Sequence, residues 1–200
     1  MSSNPPSLAY DLARDVKILS AMASNLTPYL YESELYGYLA GDLPRLTVGG
    51  VLLRLYRLLR LDDEFLTSEQ QSQIQDANLN FEAECSQWAV HYEHKLQHEL
   101  QARCHALEQF LHECAEKLHG CAAIYPSQAE KRTMIYHLQA EAHERDVLAD
   151  DMLARITKLD QRLRQFFEEG DFLIGDERLA SVYPKDTFWW LYGQLIEEKR

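Results

Sequence analysis

"TSEQQSQIQDANLNFEAECSQWAVHYEHKLQHELQARCHALEQFLHECAEKLH", residues 67–119, contains neither glycine nor proline. Thr67 with Gln70 three residues on forms a capping-box pattern, the two-way exchange that opens a helix. The stretch predicts one helix of roughly fifty residues, about 75 Å long at 1.5 Å per residue. Leu100, Cys104, Leu107, Leu111, Cys114, Leu118 and Cys121 are spaced alternately four and three apart, the seam of a coiled coil.

A second helix matches it. Ser127 and Glu130 form another capping pattern, and the chain then runs without glycine or proline to Gly170. Ile135, Leu138, Ala142, Met152, Ile156, Leu159, Leu163 and Phe166 supply its seam. Antiparallel pairing about a turn near 120–126 sets Phe110 against Met134, Arg103 against Glu141 and Leu96 against Leu148. Toward the start of the first long helix the large apolar residues, Ile74, Phe81, Cys85, Trp88 and Tyr92, leave the seam for another face. That half of the helix is expected to pack on two sides.

The remaining segments are expected to form what it packs against. A first helix is expected from about Pro6 to Met22, and a second with Thr27 as N-cap and Pro28 in its first turn. Gly37, Gly41 and Pro44 interrupt the second. "VLLRLYRLLRL", residues 51–61, is a Leu-rich core helix whose Arg54, Arg57 and Arg60 reach outward, in preference to a membrane-surface helix. In the tail, Pro184 and then Asp186 precede Phe188, Trp189, Trp190, Leu191 and Tyr192, a short terminal helix docked by its aromatics. No run of alternating β-branched residues suggests a sheet. The expected fold is all-α: one domain, 1–200, with amino-terminal helices of a bundle base (1–66), a long antiparallel two-helix, coiled-coil-like hairpin arm (67–170) and an aromatic tail on the base (171–200).

Histidines at 91, 98, 105, 112 and 119 recur every seven residues. Successive members lie about 10 Å apart along a helix axis. Zinc–nitrogen bonds are only about 2 Å long, so no single ion bridges the stripe. The stripe reads as a solvated face. His91, His94 and His98 share one face more closely, and the partner helix brings Asp146 and Asp150 nearby. These five are the candidate ligands for a divalent metal or small ligand, set against a plain polar layer of Glu93, Gln97 and Arg145 that fixes register.

At the turn, "CAAIYP" is apolar. Ile124 and Tyr125 either tuck back onto the helix ends or form an exposed patch for a partner. The four cysteines, 85, 104, 114 and 121, lack C-x-x-C spacing and read as buried, reduced thiols.

Charge narrows the partners. The net charge is −12, and residues 61–125 hold twelve acidic and three basic side chains, a balance of −9. Such a surface repels phosphate backbones, so nucleic acid is not expected. No apolar run reaches bilayer-spanning length, and "MSSNPPSLAY" has no secretion-signal pattern, which gives a cytoplasmic expectation. "TVGGV", residues 47–51, has paired glycines without a phosphate-loop lysine. No catalytic residue and no cofactor is expected. The leading expectation is a non-enzymatic scaffold or adaptor with a protein partner or a second copy of itself. The alternative is a metal- or ligand-binding bundle using His91, His94 and His98.

Overall fold

The computed structural model describes residues 8–117 and 119–196. The fold is mostly helical, with seven α-helices and one small two-stranded sheet among the described residues. The chain divides into two compact units. Of the described residues, one holds 11–100 and 137–147; the other holds 8–10, 101–117, 119–136 and 148–196.

In the first unit, α1 (Leu12–Ser24) starts where the Asp11 carboxylate accepts the Arg14 N–H at 3.1 Å. The expected start near Pro6 lies outside the described residues. α2 (Leu26–Tyr31) begins one residue before Thr27. Thr27 is therefore not its cap, and its hydroxyl instead donates to Glu84 at 2.6 Å. Gly37 and Leu46 then exchange two backbone hydrogen bonds of 2.9 Å. A side chain at Gly37 would press on the Tyr29 ring, with only 2.8 Å for a Cβ.

α3 (Val48–Arg60) is capped by Thr47, whose hydroxyl accepts the Gly50 N–H at 2.9 Å. Its arginines do not all reach water. Arg54 and Arg57 are buried around the equally buried Asp15 of α1. Arg54 Nε lies 3.0 Å from the Asp15 carboxylate, and Arg57 grips both of its oxygens. Arg60 covers the Tyr56 ring at 4.0 Å. No helix among the described residues is long and apolar enough to cross a membrane.

The expected fifty-residue helix is two helices, α4 (Ser68–Gln87) and α5 (Ala89–Glu116). The Thr67–Gln70 capping box is present in both directions, at 3.2 and 2.9 Å. The break falls at Trp88, whose backbone leaves the helical region at φ −116° and ψ 39°. Neither glycine nor proline causes it. It coincides with the Trp88 ring packing edge-on against Tyr31, centroids 4.7 Å apart.

The return segment is also broken. α6 (Cys121–Glu144) starts six residues before Ser127, whose hydroxyl bonds to the Ile124 carbonyl rather than capping anything. α6 ends where Asp146 takes a left-handed φ of 57°, a conformation that short polar side chains tolerate. α7 (Asp150–Phe166) follows, burying Met152, Ile156, Leu159 and Leu163.

In the second unit the helix expected to reach Gly170 stops at Phe166. β1 (Phe167–Phe172) pairs antiparallel with β2 (Tyr192–Leu195), Phe167 opposite Leu195 and Glu169 opposite Gly193. Gly193 sits at φ 152°, and a Cβ there would come within 2.2 Å of the Glu168 carbonyl. The tail is thus a 3-10 turn (Trp189–Leu191) followed by a strand, not the expected helix. Its aromatics do dock, as expected. Trp190 Nε1 donates to Thr133 at 2.9 Å, and the Arg132 guanidinium lies 4.1 Å over the Trp190 ring. Arg132 also holds Asp160 through two bonds of 2.6 and 2.7 Å. Phe188 packs edge-on against Tyr136 and Tyr183.

The cysteines differ from expectation in one pair. Cys85 and Cys104 are buried thiols, but Cys114 and Cys121 form a disulfide across the α5–α6 turn. The seam position Leu118 lies outside the described residues. Disulfides are rare where cytosolic reductants act, so this bond bears on the cytoplasmic expectation.

Two outcomes follow. Asp15→Ala leaves two buried guanidiniums without their carboxylate and should lower unfolding stability by about 3–5 kcal/mol, read from urea denaturation. Denatured, unreduced protein should titrate two thiols rather than four. Reduction should cost about 2 kcal/mol, the loop-closure value for so short a ring.

Candidate functional site

Five of the candidate residues lie in the first unit: His91, His94 and His98 of α5, Asp146 of the turn after α6, and, newly, Tyr31 at the end of α2. The turn of α5 that carries the histidines is anchored on its inner side. Tyr92 and Leu96 are fully buried. The Lys95 ammonium turns inward, donating to the Glu34 carbonyl and lying 4.2 Å over the Tyr29 ring. Burial lowers its pKa below the usual lysine value. Gln97 donates to the Val147 carbonyl at 2.9 Å. Glu99, with no exposed surface, accepts the Gly49 N–H at 3.0 Å.

With the inner side fixed, the three histidines face outward but do not act as one cluster. His94 and His98 lie side by side, ring centroids 4.0 Å apart. His91 turns to the aromatics instead, 5.0 Å from Tyr31 and 6.4 Å from Trp88. Asp146 sits in the left-handed turn after α6, and Asp150 opens α7 in the second unit. Among the described residues no group of three or more His, Cys, Asp or Glu side chains converges as a metal site.

The expected register layer of Glu93, Gln97 and Arg145 takes another form. Arg145, just past the end of α6, bonds Glu141 of that helix at 2.6 Å and covers the Tyr92 ring at 4.5 Å. Gln97 meets a backbone carbonyl rather than Arg145. The turn expected near 120–126 falls earlier, between α5 and α6, and within the first turns of α6 Ile124 and Tyr125 part ways. Ile124 is 52% exposed, whereas Tyr125 is 1% exposed and its hydroxyl donates to the Trp190 carbonyl at 2.7 Å.

The sequence did not single out the aromatic group at the α4–α5 break. Tyr31, Trp88 and His91 stack there, with Tyr31 51% exposed. Its one sequence signal is Trp88 three residues before His91, neighbours on a helix face. Tyr31 comes from a distant segment that no spacing rule links to them. Two further tyrosines of the 31–46 segment, Tyr36 and Tyr38, are also exposed, and Arg45 lies 5.4 Å over the Tyr38 ring.

Burial favours the neutral form of two thiols, two tyrosines and one histidine. Burial pushes the Cys85 thiol up to about 12 and Cys104 to about 11, which leaves neither as a thiolate nucleophile near neutral pH. Burial also raises Tyr92 and Tyr125 well above the ordinary tyrosine value. His137 packs on Tyr56 at 4.4 Å. Burial, with Arg60 and Arg57 adding to it, lowers the His137 pKa to about 3. Comparison of the chain with family models, curated proteins and solved structures gives no match.

His137 makes stability depend on pH. Unfolding frees it to bind a proton below its ordinary value of 6.5, while the folded form resists protonation until about 3. Its contribution is therefore complete above 6.5 and is lost as pH falls toward 3. Wild-type protein should lose stability more steeply than His137→Leu between pH 6.5 and 4, measured by denaturation at each pH. Parallel profiles would show that His137 is not held neutral.

Proposed function

We propose that this chain is a non-enzymatic helical interaction module, a scaffold or adaptor that engages a protein partner or a second copy of itself. The observation that supports it is the aromatic group at the α4–α5 break. Tyrosine and tryptophan rings are the side chains that most often anchor protein interfaces, because each buries a large area at little entropic cost. Tyr31 is half exposed and is held edge-on by Trp88, with His91 beside it. A partner would therefore meet rings already in place.

The charge supports the same reading. A chain of net charge −12 is steered toward basic protein surfaces and away from phosphate backbones. The apolar tip supports it less than the sequence suggested, since only Ile124 of the pair is exposed.

Tyr31→Ala should weaken self-association or partner binding about tenfold or more, the ordinary effect of removing an interface anchor. Its circular dichroism should match wild type. Leu153→Ala, an exposed position of α7 outside both candidate surfaces, serves as the comparison. A strict monomer by light scattering, together with no protein that co-purifies from the native host and depends on Tyr31, would overturn the reading.

A further inference from the structure

We propose that His94 and His98 form a chelating pair for one divalent transition-metal ion of the zinc, nickel or copper class. Residues four apart on a helix project from the same face, and two such imidazoles can take two positions around one ion. Here the rings already lie 4.0 Å apart by their centroids. Imidazole nitrogen suits zinc, copper and nickel, and bonds of about 2 Å are within reach of two neighbouring rings.

The backbone between them adds the main advantage. Of the three intervening residues, Lys95 and Leu96 are buried on the inner side, and the exposed Gln97 is tied to a neighbouring backbone carbonyl. Lys95 reaches the Glu34 carbonyl, Leu96 is buried, and Gln97 holds the Val147 carbonyl at 2.9 Å. Glu99, next in sequence, is fixed by Gly49 at 3.0 Å. The turn carrying both ligands is therefore set before any ion arrives, which reduces the ordering cost of binding. Lys95 is drawn inward, so its charge does not occupy the outer face between the two rings. His91 is excluded from the pair by its contacts with Tyr31 and Trp88. Two protein ligands leave the other positions on the ion to water. The proposal is independent of the interaction surface proposed for Tyr31.

The other histidines of the stripe differ. His112 has Glu116 at 3.4 Å, one imidazole with one carboxylate. His105 has Glu108 at 3.9 Å, but Glu108 is already engaged by two bonds from Arg155. His94 and His98 are therefore the pair with two imidazoles facing each other.

Untagged protein should be titrated with zinc chloride alone by isothermal calorimetry in a non-chelating buffer, and again with nickel chloride. The expected result is one equivalent bound by wild type, His91→Ala and His112→Ala alike. His94→Ala and His98→Ala should each weaken it by at least about tenfold. Both positions are exposed, and unchanged circular dichroism would show that the variants fold. No zinc or nickel binding by wild type would overturn the proposal. So would wild-type affinity in His98→Ala, or loss of the site in His112→Ala alone.

Discussion

The α3 helix is complemented by charge at both ends, and much of the first unit hangs on that arrangement. At its amino terminus the buried Glu99 carboxylate accepts the Gly49 N–H. In its second half, Arg54 and Arg57 close on Asp15, and Arg57 and Arg60 occupy the last turn. A helix favours negative charge at its start and positive charge at its end. Both are supplied here, one of them from α5 and the other from α3 itself. Burying charges costs several kcal/mol each unless geometry and hydrogen bonds compensate. Asp15 therefore ties α1 to α3 in one register, since any slip would leave a buried charge unmatched. Gly49 is tied to the same constraint, because a Cβ there would stand 2.7 Å from Glu99 Oε1 and 3.1 Å from Leu138. The arginine end also reaches further. Arg57 and Arg60 add to the burial that keeps His137 neutral.

In the second unit an aromatic side chain plays the part that a buried carboxylate plays in the first. Trp190 is held at its ring nitrogen by Thr133, on its face by Arg132, and at its carbonyl by Tyr125. Arg132 is itself fixed by two bonds to Asp160. A planar guanidinium can stack on a ring and grip a carboxylate at once, which an ammonium cannot do. The tail is thereby oriented so that its next residues, Tyr192–Leu195, pair with Phe167–Phe172.

The helical character, the Thr67–Gln70 start and the inward tail aromatics were legible because each rests on local chemistry: periodicity, capping and apolar area. The breaks at Trp88 and Asp146 were not. Helix interruption is read from glycine and proline, and neither residue stands at those positions. The strands were missed for a related reason. "FEEGDF" and "YGQL" carry no alternating apolar pattern, and Phe167–Phe172 is exposed over its central four residues. The Arg54–Arg57 stripe was visible, but its partner Asp15 lies forty-two positions from Arg57, and only folding shows that the charges meet inside. Of the candidate residues, His91, His94 and His98 were singled out together from spacing, and spacing could not show that His91 turns to Tyr31, which belongs to a segment with no sequence relation to Trp88.

The histidine stripe shows why a repeat in sequence is not a repeat in environment. Its members are seven apart, yet His91 lies against aromatic rings, His98 against His94, His105 and His112 beside glutamates, and His119 beyond the end of α5. An α-helix drifts by about 20° per heptad, so equal spacing does not keep equal neighbours. The break at Trp88 changes the setting of the first member further. What makes one pair chemically distinct is a residue outside the stripe, His94, four positions from His98 and held toward it by the anchored turn between them. The property that sets the proposed ligand pair apart from a solvated face is thus the fixed backbone beneath it, and that is supplied by Glu34, Gly49 and Val147, residues that carry no histidine signal at all.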